Sequence, residues 1–125
     1  MGQFPQEQKD MDAGNLTAAR EVLQHQWEVT VSPRPEKDLN WELLLEALEE
    51  RITDLMINNP RKLTTAVYLL DISERRYQEA MRRPGIAQKA RALAEIILER
   101  ESEKIALRRR YAAEPRKKLE QESSG

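Results

Sequence analysis

Catalysis by a side-chain nucleophile needs Ser, Thr or Cys within hydrogen-bond reach of a base. This chain offers little of that kind. It has one histidine, His25, and no cysteine. Carboxylates are plentiful, and Glu95, Glu99, Glu101 and Glu103 crowd one stretch. None of them stands in the Glu-x-x-His pairing that di-iron helical bundles use to hold metal. Glu46, Glu49 and Glu50 have the spacing of a solvated helix face. The glycines (Gly2, Gly14, Gly85 and Gly125) are scattered, so no glycine-rich phosphate cradle forms. These residues point to no catalytic group, no metal ligand and no cofactor, and the chain reads as non-enzymatic.

The arginines could do a different chemistry, contact with phosphate. Arg75 and Arg76 follow the turn Asp71-Ile72-Ser73, where the second helix of a helix-turn-helix would present its base-reading end. Arg82 and Arg83 would then lie within reach of the backbone. A second basic set comprises Arg108, Arg109, Arg110, Arg116, Lys117 and Lys118, with only Glu114 to oppose it. Nucleic acid is therefore the alternative partner. Against it, the helix that would carry Arg75 is short and is stopped by Pro84, and an acidic helix precedes it in the chain. An ordinary capped turn and a solvated helix end, whose cations suit the helix dipole, account for both sets. No long apolar run marks a membrane span, and the basic end lacks the bulky apolar face that would insert into a lipid surface.

The elements that would position these groups follow from composition and spacing. The chain has 125 residues, 39% hydrophobic and 34% charged. Globular chains carry about 45–50% apolar and about 25% charged residues, so the composition predicts one small domain with solvated tails. Charge is split along the chain. Residues 1–50 hold 11 acids and 4 bases, and the remainder holds 11 acids and 17 bases. The start, MGQFPQEQKDMD, has neither the basic nor the apolar region of a signal peptide. With no cysteine framework, the expectation is a cytoplasmic protein.

The longest regular stretch is Ile86 to Tyr111, which contains no Pro or Gly. Ile86, Ala90, Leu93 and Ile97 fall on one line at helical spacing, and Glu101 is next on that line. The spacing predicts a packed first half and a second half, charged from Glu101 on, that projects beyond the core. Three helices precede it. Asn40 caps Trp41 to about Ile57, with Leu39 and Leu44 as a hydrophobic staple and Leu44, Leu48, Ile52, Leu55 and Met56 facing inward. Asn59 and Pro60 start a second helix to Leu70, with Leu63, Ala66, Val67 and Leu70 inward. Ser73 caps a third, Glu74 to Arg82, with Tyr77, Ala80 and Met81 inward. The expected fold is all-α, a small bundle or orthogonal array of four helices over 38–111 with a long C-terminal helix.

Residues 1–37 form a flexible N-terminal segment in this reading. Asn15 caps a short helix over 16–27, Trp27 to Val31 is an extended linker, and Ser32-Pro33-Arg34-Pro35 bars regular structure. Whether residues 15–31 dock on the core is left open. Pro115 ends the long helix, and 112–125 is a disordered tail.

Asn59, Lys62-Leu63, the run Tyr68-Leu69-Leu70-Asp71-Ile72-Ser73-Glu74, and Ala94-Glu95-Ile96-Ile97-Leu98-Glu99-Arg100 continuing to Lys104 carry a resemblance. Over roughly residues 55–110 the chain resembles a group of small uncharacterised bacterial helical proteins. That resemblance implies a bacterial cytoplasmic origin. It assigns no activity, so no site residue comes with it.

The functional expectation is a protein–protein interaction module that associates with itself, as a homodimer, or with another protein. A helix as long as the last one outruns a small core. Ile96, Leu98, Ile105, Leu107 and Tyr111 lie off or beyond its main stripe and would form the self-association surface, since soluble monomers seldom leave such groups exposed. The competing explanation is internal, with the 16–27 helix folding back through Val22, Leu23 and Trp27 to cover the same patch.

Overall fold

A computed structural model gives the backbone of residues 13–31 and 38–124, with side chains over 14–31 and 38–112. Among the described residues the regular structure is entirely helical: α1 (Ala13–Gln26), α2 (Trp41–Asn58), α3 (Pro60–Leu69), α4 (Glu74–Met81) and α5 (Gly85–Ser124). The all-α expectation, with a long last helix, holds. Residues 1–12 and the Ser32–Pro35 break lie outside the described residues, while positions 13 and 14 of the start expected to be loose over 1–14 are helical.

Local chemistry sets most of the boundaries. The Oδ1 of Asn40 accepts from the Leu43 amide at 2.9 Å, and buried Leu39 and Leu44 bracket the helix start as a staple. Asn59 works twice. Its amide closes α2 on the Leu55 carbonyl at 2.8 Å, while its side chain accepts from the Lys62 amide at the head of α3. Pro60 stands where a missing N–H costs nothing. Between α3 and α4 the chain reverses through Asp71, whose φ of 62° is left-handed, and Ser73 caps α4 through the Arg76 amide. Gly85 opens α5 at φ 80°, a conformation that costs a side-chain-bearing residue roughly 1–2 kcal/mol.

Helix α5 is the central element. It packs along α2, takes α4 on one flank and α1 on another, while α3 packs on α2. Trp41, Leu44, Leu45, Leu48, Ile52 and Leu55 are the buried residues of α2, and Ala90, Leu93, Ala94, Ile97 and Leu98 those facing them in the shared core. Arg91 fastens this pair at its edge. Its guanidinium grips both oxygens of Glu42 at 3.0 Å and reaches Glu49 at 3.3 Å. Hydrogen bonding to the Glu42 carboxylate raises the Arg91 pKa above the ordinary arginine value.

Residues 15–31 do dock. Leu16, Ala19, Leu23 and Trp27 are buried at helical spacing and belong to the same core. Asn15 accepts from Arg109, and Trp27 donates to Glu101, so α1 runs antiparallel to the second half of α5. The helix begins at Ala13, so Asn15 lies inside its first turn and is not the cap. After it, Trp27, Val29 and Val31 are buried while Glu28 and Thr30 face solvent. The alternation expected of an extended linker is therefore real, and it lines the core edge with no strand partner among the described residues. Glu28, at φ 57°, turns the chain here. Its carboxylate bonds Lys62 at 2.7 Å and Arg51 at 2.8 Å, while Arg51 also donates to the Trp27 carbonyl at 2.9 Å.

Two details of α5 differ from the spacing-based reading. Ile86 is 46% exposed, so the packed stripe starts at Ala90. Helical backbone also runs on through Pro115 to Ser124. A proline inside a helix removes one hydrogen bond and crowds the carbonyl four residues back. The surrounding Ala, Glu, Arg, Lys and Leu are strong helix formers and favour continuing the helix despite that cost.

Candidate interaction surface

The residues expected to form a self-association surface divide into two groups. Ile96, Leu98 and Ile105 are buried within the chain and so cannot meet a partner. Their burial has a plain cause: α1 lies along the second half of α5 and closes the core around Glu101 and Ile105, while α4 and the α3–α4 turn pack beside Ile96 and Arg100. Leu107 and Tyr111 lie off this covered face, 43% and 59% exposed.

A second apolar surface was not singled out by sequence. Tyr68 and Leu69, in the last turn of α3, are 82% and 73% exposed. Their signal was present in the spacing. Leu63, Val67 and Leu70 turn inward at intervals of four and three, which leaves positions 68 and 69 pointing away from the core. Beside them the short helices α3 and α4 diverge and leave a concavity of about 740 Å³, whose walls include Val67, Ile72 and Tyr77. Asp71 and Glu74 stand at its edge.

The two surfaces share one side of the molecule. The Nε of Arg100 donates to the Leu70 carbonyl at 3.1 Å, which fixes the α3–α4 turn beside α5. Lys104, Leu107 and Tyr111 follow Arg100 along the same line of the helix, at four, seven and eleven residues further on.

The arginines proposed for nucleic acid are largely engaged or dispersed. Arg76 pairs with Glu99 at 3.0 Å and Arg75 with Glu79 at 3.5 Å. Helix α4, which would be the reading helix, is packed on α5. Arg82 and Arg83 are exposed at its end, and Arg108, Arg109 and Arg110 are exposed further along α5. Arg109 bonds Asn15. The side chains of Arg116, Lys117 and Lys118 lie outside the described set.

The crowded acids of α5 also disperse. Glu95 faces Arg91, Glu99 faces Arg76, Glu103 faces Arg100, and Glu101 turns inward to Trp27. Among the described residues no three His, Asp or Glu side chains gather into a metal-binding group. His25 is exposed on α1. No helix among the described residues is long and apolar enough to cross a membrane. The chain matches no protein-family model, no curated protein and no solved structure.

Proposed function

We propose that this chain is a non-enzymatic helical interaction module that associates with itself. The observation that carries the reading is the exposed pair Tyr68 and Leu69 opening onto an apolar concavity. Leaving such a patch in water costs about 25 cal/mol for each Å² that a partner could cover, and soluble monomers rarely keep large contiguous ones. Leu107 and Tyr111 extend the apolar surface along the same side. A two-fold dimer is the commonest arrangement that covers such a surface, because one patch meets its own copy. The nucleic-acid reading has less support, since Arg75 and Arg76 already face carboxylates of their own chain.

Sedimentation equilibrium across a concentration series tests the proposal. The expected result is a weight-average mass that climbs from 14.6 kDa toward twice that value, and a Leu69→Glu variant that stays at the monomer mass. A wild-type chain that remains at the monomer mass into the high micromolar range would refute it.

A further inference from the structure

We propose that the groove between α3 and α4 of one copy receives the Leu107–Tyr111 stretch of α5 from a second copy, and that the exchange is reciprocal about a two-fold axis. This rests on the self-association reading above and specifies its geometry. The groove offers an apolar wall, Val67, Ile72 and Tyr77, with Tyr68 and Leu69 as its lip. The second half of α5 offers Leu107 and Tyr111, one helical turn apart on one line, which is the anchor spacing by which an amphipathic helix seats in a groove.

Charge makes the two parts complementary. Asp71 and Glu74 stand at the edge of the groove. Among the described residues neither forms a salt bridge, and Glu74 accepts only a long bond from Gln78 at 3.4 Å. Arg108 and Arg110 flank the Leu107–Tyr111 line, one on each side of the helix. They too form no salt bridge among the described residues. Arg51, Arg76, Arg91 and Arg100, by contrast, all find carboxylates inside their own chain. Among the described residues, two acids beside an apolar groove and two bases beside an apolar helix face therefore stand without a salt bridge.

Placement makes the exchange geometrically reciprocal. The Arg100–Leu70 bond sets the groove beside α5. Leu107 and Tyr111 sit roughly 10 and 16 Å further along the same helix line. Each copy thus presents groove and Leu107–Tyr111 stretch side by side, and a two-fold axis between them brings each onto its counterpart. The Leu107–Tyr111 stretch does not reach the groove of its own chain, because the continuous helix carries it roughly 10–16 Å past the Arg100–Leu70 contact.

The chain has no cysteine, so engineered cross-links have a single assignment. Leu69→Cys and Tyr111→Cys full-length chains are prepared separately, mixed in equal amounts and mildly oxidised. The expected product is a mixed cross-linked dimer, several-fold above the homodimeric cross-link of either variant alone. In a second arm, Glu74→Arg and Arg108→Glu each raise the dimer dissociation constant several-fold, and a chain carrying both recovers most of the loss, as paired charges do across an interface. A chain that dimerises without the mixed cross-link, or in which the charge reversals do not compensate, would overturn this geometry while the self-association reading stands. A chain that stays monomeric overturns both and leaves the groove to a different protein.

Discussion

The indole Nε1 of Trp27 donates a 2.7 Å hydrogen bond to the Glu101 carboxylate across 74 positions of sequence. Glu101 is only 2% exposed, the one charged side chain among the buried residues described. This contact ties α1 to the far half of α5. A buried polar group that loses its partner costs about 1–3 kcal/mol. Trp27→Phe keeps most of the packing and removes the donor, so it is expected to destabilise by about that amount in urea titration. Glu101→Leu alone leaves the indole N–H unpaired. Adding it to Trp27→Phe removes the orphaned carboxylate, so the double variant is less damaged than the sum of the singles. Additive losses would mean that the bond contributes nothing of its own.

Arg91 holds the α2–α5 edge through Glu42 and Glu49. The pairs are partly exposed, so solvent screens them, and each contributes about 0.2–1 kcal/mol. Arg91→Ala is expected to cost about 1 kcal/mol, and Arg91→Lys to recover little, because a lysine ammonium cannot present the planar fork that matches both Glu42 oxygens. Denaturation at low and high salt checks this. A loss that does not shrink with salt would point to packing of the arginine stem as the cause.

Glu28 supplies the pH dependence. The hydrogen bond and charge of Lys62, with the charge of Arg51, hold its carboxyl below the ordinary value of 4.5. A carboxylate depressed on folding adds stability above the unfolded value, and that stability is lost as pH falls through the lower folded value. Thermal melting of wild type and Glu28→Gln should therefore differ at pH 6 and converge as the pH falls well below 4.5. A constant difference down to the acid limit would show that the ion pairs on Glu28 are not its source.

The core predicts a graded response along one stripe. Leu48 and Ile97 are fully buried, and replacing either with Ala is expected to cost about 2–5 kcal/mol. Ile86, exposed on the same spacing, should cost less than about 0.5 kcal/mol when changed to Ala, as surface substitutions do. Equal losses at Ile86 and Ile97 would mean that the first turn of α5 is packed after all.

What was legible in the sequence was local. Asn40, Asn59 and Ser73 announce helix starts because capping is decided within three residues. The Leu44–Leu48–Ile52–Leu55 and Ala90–Leu93–Ile97 lines announce buried faces because helical spacing repeats. Glu101 lies on the second of those lines, yet its charge reads as the end of the core. It is buried because Trp27 arrives from a distant helix with a donor, and no local pattern carries that. A helix over 16–27 folded back on this face was the alternative to self-association, and it is what closes the core around Ile105, whereas the cover of Ile96 by α4 and the α3–α4 turn depends on how those elements pack. Ile86 errs the other way, since spacing shows which face points inward but not where the neighbouring helices stop. At the candidate surface, Leu107 and Tyr111 were readable as apolar residues beyond the core. Tyr68 and Leu69 were readable only by exclusion from the Leu63–Val67–Leu70 line, and the concavity beside them depends on how α3 and α4 diverge.

Amide hydrogen exchange at low and high protein concentration tests the central claim, that the chain associates through the α3–α4 turn and the Leu107–Tyr111 stretch of α5 while α1 stays docked. Exchange protection reports local opening and the covering of a surface. The expected result is protection that rises with concentration over residues 68–74 and 107–112. Residues 16–27 and 96–105 should be equally protected at both concentrations. Concentration-dependent protection in residues 16–27 and 96–105, with none over 68–74, would contradict the account, because it would mean that α1 opens and that the face it covers is the one that meets a partner.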